Sequence, residues 1–105
     1  MARLQVGARV TATYRVFEPG HHAVPGDVSI LADGRRAWAG VVLDVCDPEA
    51  WADTMAFSHR TPTRDAVAAH VAKCRSGGYW DGAVPVRWEF GAICWERPSA
   101  LIPLG

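Results

Sequence analysis

The sequence contains no asparagine and a single lysine, Lys73. Ten of its eleven basic residues are arginine, and seventeen residues are alanine. Lysine and asparagine use AT-rich codons, whereas alanine and arginine use GC-rich ones, so the bias points to a GC-rich, bacterial genome. The arginine excess by itself therefore carries no functional weight. No apolar run approaches the roughly 20 residues that a membrane span needs, and Met1-Ala2-Arg3-Leu4-Gln5 lacks the apolar stretch of a secretion signal. Three cysteines, Cys46, Cys74 and Cys94, cannot all pair within one chain. These absences predict a reduced, cytoplasmic protein with no membrane partner. Eleven acidic residues balance the eleven basic ones, giving a formal charge of zero. That excludes attraction of the whole molecule to nucleic acid or to a membrane surface.

Signatures of catalysis and of cofactors are missing as well. There is no Gly-x-Ser-x-Gly elbow and no Gly-x-Gly-x-x-Gly, and the Gly34 to Gly40 stretch lacks the lysine and spacing of a phosphate loop. Structural zinc calls for close-spaced pairs such as Cys-x-x-Cys, which do not occur. No catalytic residue, metal ligand or cofactor is therefore assigned. His70 and Cys74 stand four apart, as a helical nucleophile or ligand pair does. Both also fall on an apolar stripe, which favours packing. An enzymatic alternative remains: a small hydrolase-type protein using loop His59 or His22 as general base beside acidic neighbours. Glu89 shares the polar phase of its strand with Arg87, which predicts a surface ion pair.

The chain has 105 residues, half of them hydrophobic and 21% charged, a globular composition. This fits a single domain, 1–105, with one core. Val6, Ala8, Val10, Ala12, Tyr14 and Val16 alternate with Gly7, Arg9, Thr11, Thr13 and Arg15. Such alternation predicts one strand of eleven residues with a buried and a wet face, bent near Gly7 or Ala8. A Pro/Gly loop follows from Glu18 to Asp27, then a strand from Val28 to Leu31 and an Asp33-Gly34 turn. Ala37 to Cys46 reads as a strand that is apolar on both faces. Residues 48–57 fit either a helix capped by Asp47 or a strand, and the alternation of Trp51, Asp53, Met55 and Phe57 tips the reading to the strand.

The surest helix spans about residues 62–76, capped at Thr61 and closed by Gly77-Gly78, with a Val67/His70/Val71/Cys74 stripe. Asp81-Gly82 makes another turn. From Val84 alternation resumes, with Gly91 as a bulge or hairpin corner, and Leu101 to Leu104 adds an edge strand. Without a βαβα rhythm the class is α+β: a strongly bent antiparallel sheet, or a small SH3-like partly open barrel of about five to six strands with one inserted helix. Gly26-Asp27-Val28 through Gly40-Val41-Val42 resembles the strand-turn-strand of SH3-like barrels, including the KOW type, and that resemblance implies a small barrel.

Aromatic content is what stands out, with five tryptophans in so short a chain. Trp88 belongs to the apolar phase and reads as core. Trp38 and Trp95 fall out of phase, and Trp80 sits in a loop. Exposed tryptophan beside arginine is the composition of a protein hot spot or a stacking platform. Large rings that simply fill a small core are the structural counterpart of that reading. The expectation is a non-enzymatic binding module whose face draws on Trp38, Trp95, Trp80, Arg35, Arg36 and Arg87. It would meet a partner protein or a small apolar ligand. The alternative is a nucleic-acid-binding small barrel that sets Arg35 and Arg36 against phosphates.

Overall fold

Two antiparallel sheets form because two strands bend in mid-course and pass from one sheet to the other. The computed structural model describes residues 4–17, 28–78 and 82–104. The whole of the expected Pro/Gly loop, with His21 and His22, and also Trp80 and Asp81, lie outside the described residues. The strands are β1 (Arg9–Ala12), β2 (Val16–Phe17), β3 (Ser29–Ile30), β4 (Arg36–Ala37), β5 (Gly40–Val42), β6 (Val84–Trp88), β7 (Ile93–Glu96) and β8 (Leu101–Pro103). They order as β7-β6-β5-β1-β8 in one sheet and β2-β4-β3 in the other. A short helix α1 (Pro48–Trp51) and a longer one, α2 (Arg64–Ser76), complete an α+β architecture. The sheets do not close into a barrel. No helix among the described residues is long and apolar enough to cross a membrane.

The expected eleven-residue strand is interrupted twice. Gly7 turns the chain at φ +88°, a left-handed conformation that glycine adopts without a Cβ clash. Val6 is left exposed as a result. At the other end a 3₁₀ turn at Thr13–Arg15 carries the chain from β1 into β2. Tyr14, expected on the buried phase, is exposed at this bend. The partner strand breaks at the same level. The Trp38 N–H donates to the Arg15 carbonyl at 3.1 Å, and the expected Ala37 to Cys46 strand divides into β4 and β5. Thr11, expected on the wet face, is fully buried, and its hydroxyl donates to the Trp38 carbonyl at 2.7 Å. A buried hydroxyl requires such a partner.

Residues 48–57 correct the strand reading. Asp47 caps α1, its carboxylate accepting from the Glu49 N–H at 2.9 Å, with Pro48 in the first turn. A 3₁₀ turn follows at Met55–Phe57. The long helix starts two residues later than its expected beginning, because Thr63 rather than Thr61 provides the cap, accepting from the Ala66 N–H. Its stripe is as read: Val67 and Val71 are buried, with His70 and Cys74 half-buried. Gly91, at φ +97°, is the corner of the β6–β7 hairpin, where its left-handed conformation closes the turn as a bulge. The expected β3–β4 turn forms with Gly34 at φ +87°, and β8 is an edge strand that tolerates Pro103.

Burial is divided where one core was expected. Val10, Ala12, Val42, Val86, Trp88 and Leu101 pack on one face of the five-stranded sheet. Ala50, Trp51, Val67 and Val71 form a second cluster with Phe57, Ile93 and Trp95, where α1 and α2 meet the β6–β7 end of the opposite face.

Candidate binding groove

Register places the side chains that matter. Arg9 pairs with Val41, Val41 with Arg87, and Arg87 with Ile93, so these four form one row across β1, β5, β6 and β7. Cross-strand partners share a sheet face. This is the face opposite Val10 and Trp88, and the helices cover it only at the β7 end. Val41 is 39% exposed between the two arginines.

Three adjoining clefts follow this row. One of about 450 Å³ lies between α1 and β7, lined by Glu49, Ala50, Ile93 and Trp95. It shares Gly91 with a second of about 390 Å³ over Val41, Arg87 and Arg9. That one shares Arg9 with a third of about 290 Å³ between Leu31 and Pro103. The three make a track across the strands, with Trp95 near one end, Arg9 toward the other and Val41 between them.

Each arginine along it faces a glutamate. Arg87 donates to the Glu49 carboxylate, tying β6 to α1. Glu89, expected to pair with Arg87, instead accepts from the Ser29 hydroxyl at 2.6 Å and stands 3.8 Å from the Arg9 guanidinium. Arg9 donates to the Ser29 hydroxyl at 3.2 Å. This network links β3 to the ends of β1 and β6, so the two sheets are joined at the groove.

A second polar cluster lies beside the sheet core. The Glu96 carboxylate is buried and accepts a hydrogen bond from the Tyr14 hydroxyl. Burial pushes its pKa above the ordinary value. The Arg15 guanidinium stands 3.8 Å from Glu96 and lies over the rings of Trp88 and Phe90, 4.7 and 4.8 Å from their centres. Arg15 Nε and Trp88 Nε1 are buried without hydrogen-bond partners. Aromatic faces attract the guanidinium charge, so the rings hold Arg15 in place of a full set of hydrogen bonds.

Of the six residues expected to form one face, Trp95 and Arg87 line the groove. Trp38 packs against the sheet core instead, edge-on to Phe90 at 5.3 Å and beside Phe17. Arg35 closes the β3–β4 turn by pairing with Asp33 at 2.7 Å, and Arg36 is exposed on β4. The Arg35 backbone N–H and then its guanidinium hold the Asp33 pKa low. Trp80 lies outside the described residues. Sequence reasoning did not single out Arg9, Val41 or Arg15, since only long-range strand register shows what they face.

Of the two histidines of the enzymatic alternative, His22 lies outside the described residues and His59 meets a backbone carbonyl. His59 is exposed, with Nδ1 at 2.9 Å from the Asp53 carbonyl oxygen, which makes Nδ1 the donor. His70 Nε2 is 3.5 Å from Cys74 Sγ, and its ring meets Trp51 and Phe57 edge-on. No group of three or more His, Cys, Asp or Glu able to hold a metal occurs among the described residues. Comparison with known proteins adds no assignment: no family model, no curated protein and no solved structure matches this chain.

Proposed function

We propose that this domain is a small non-enzymatic binding module that receives a segment of a partner protein in the groove across its five-stranded sheet. One observation carries the reading: three clefts adjoin, at Gly91 and at Arg9, along the Ile93–Arg87–Val41–Arg9 row. Apolar surface flanked by arginine is the usual make-up of a binding hot spot. The clefts are open and lie side by side, which suits a length of chain better than a compact apolar ligand. Strands that bend between sheets support an SH3-like, partly open scaffold. Nucleic-acid binding through Arg35 and Arg36 fits less well, because Arg35 is held by Asp33 and the chain carries a formal charge of zero.

The test is selection of a random-peptide library on the wild-type domain, repeated on Val41→Glu. Glutamate there lies between Arg9 and Arg87, so the fold is retained while the middle of the groove closes. Peptides enriched on wild type are expected to lose binding to Val41→Glu at unchanged melting temperature. No enrichment, or equal binding to both proteins, removes the reading. A gel shift with single-stranded nucleic acid at low salt, lost as salt rises, would transfer it to the alternative.

A further inference from the structure

We infer that the segment taken by the groove is extended and acidic, and that it seats a carboxylate on Arg9; this rests on the binding reading above. The direction of the groove comes first. It crosses β6, β5 and β1, each paired on both sides. A ligand there cannot add itself as another strand, because no free ladder groups face it. It is held by side chains and keeps its own backbone solvated, as an extended or polyproline-type segment does. Five strands about 4.8 Å apart span about 19 Å, the length of about six extended residues.

The charge on that segment follows from how each charged group in the groove is already used. Arg87 is hydrogen-bonded to Glu49, and Glu89 accepts the Ser29 hydroxyl. Arg9 differs. It makes one hydrogen bond, to Ser29 at 3.2 Å, and its ion-pair partner Glu89 stands at 3.8 Å, beyond hydrogen-bond reach. A guanidinium carries five N–H donors in a fork that matches a carboxylate. Its side chain is 57% exposed where the second and third clefts meet. An incoming carboxylate thus finds at Arg9 a guanidinium whose acidic neighbour is not hydrogen-bonded to it, whereas the Arg87 guanidinium is already bonded to Glu49. A phosphate dianion fits less well, because Glu89 is close enough to repel its second charge.

Apolar surface flanks this point, Val41 on one side and Leu31 with Leu104 on the other. Val41 is one strand from Arg9, about 4.8 Å or one to two residues of extended chain. The predicted pattern is an acidic residue within two positions of an apolar one on either side.

The same library selection tests this apart from the parent reading. Wild-type enrichment is expected to converge on an Asp or Glu next to an apolar residue. Selection on Arg9→Ala is expected to keep the apolar preference and lose the acidic one. Replacing the conserved acid of a synthetic consensus peptide with its amide should weaken binding about tenfold on wild type and leave binding to Arg9→Ala unchanged. The peptide arm holds even if Arg9→Ala folds poorly. Enrichment with no acidic position, or an amide peptide that binds as well as the acid, overturns the inference and leaves the binding module standing. Failure to enrich any peptide removes both.

Discussion

In the sheet cluster, Val10, Val42 and Val86 belong to three neighbouring strands, so ladder hydrogen bonds fix their positions before any side chain touches another. In the helix-side cluster no ladder runs between α1 and α2. Trp51 takes its place, with ring centres at 5.0 Å from Trp95, 5.2 Å from His70 and 5.9 Å from Phe57, all edge-on. Side-chain to backbone bonds complete the frame: Trp51 Nε1–H donates to the Val45 carbonyl at 2.8 Å, and Trp95 Nε1–H to the Ala50 carbonyl at 3.2 Å. The sheet cluster is therefore set by backbone spacing and is intolerant of added volume. The helix-side cluster is set by ring edges and by polar atoms that must keep their partners.

The difference bears on the groove. Val41, Arg87 and Arg9 project from the ladder-fixed part, while Trp95 and Glu49 belong to the part held by rings. One wall of the groove is thus set by strand pairing, and the Glu49 wall is set by how α1 packs on Trp95.

The largest expected effect comes from adding a single methyl to the sheet cluster. A Cβ on Gly40 would lie 2.5 Å from a Val86 methyl and 3.0 Å from the Trp88 ring, with the Arg87 carbonyl at 3.1 Å. Gly40→Ala is expected to cost about 1–3 kcal/mol of stability by overpacking. Ala50→Val, beside the open cleft of the helix-side cluster, is expected to cost less than about 1 kcal/mol, chiefly helix propensity. Urea denaturation of both variants checks this. Equal costs would mean that the two clusters are packed alike.

A smaller effect separates the clusters by their polar demands. Trp51→Phe and Trp88→Phe remove the same volume and the same N–H. At position 51 the change orphans the Val45 carbonyl; at position 88 it deletes a donor that already lacks a partner. Trp51→Phe should therefore be less stable than Trp88→Phe by about 1 kcal/mol, read as the difference in unfolding free energy. The reverse order would place the aromatic hold on Arg15 above the hydrogen bond of Trp51.

What could be read from the sequence follows the same division. Local chemistry was legible: the Asp33-Gly34 turn, the α2 stripe of Val67 and Val71, the Gly77 stop and the edge position of Pro103 each depend on neighbours a few residues away. The bend at Thr13–Arg15 was not, because alternation runs unbroken through it and only pairing with Trp38, far along the chain, sets where it falls. The sequence pattern favoured strand over α1 because Trp51 and Met55 fit both periods and Phe57 extends only the alternation, whereas Asp47-Pro48 decides for the helix. In the groove, Trp95 and Arg87 were accessible as out-of-phase or polar-phase residues. Arg9 and Val41 drew no notice, since a wet-face arginine and a strand valine gain meaning only from being opposite one another.

The finest distinction between the regions lies in how each responds to pH. Glu96, beside the sheet core, has its pKa raised by burial above the ordinary 4.5. The folded chain holds that proton more tightly than the unfolded one, so this group's stabilisation is complete below about 4.5 and is lost as pH rises through the folded value. Asp44, at the helix-side cluster, has its pKa lowered from 3.8 by the Cys46 N–H and by Arg64 at 2.7 Å. Its contribution is present above 3.8 and is lost as pH falls through the folded value. The Asp44 side chain is 39% exposed, so solvent screening holds its share to about 0.5 kcal/mol, or about 2–4 °C in melting temperature. Melting temperature followed across pH should show Glu96→Gln flattening the fall above 4.5 and Asp44→Asn flattening the fall below 3.8. If Glu96→Gln keeps the wild-type slope above 4.5, the carboxylate is solvated in solution and the Tyr14 contact does not close over it.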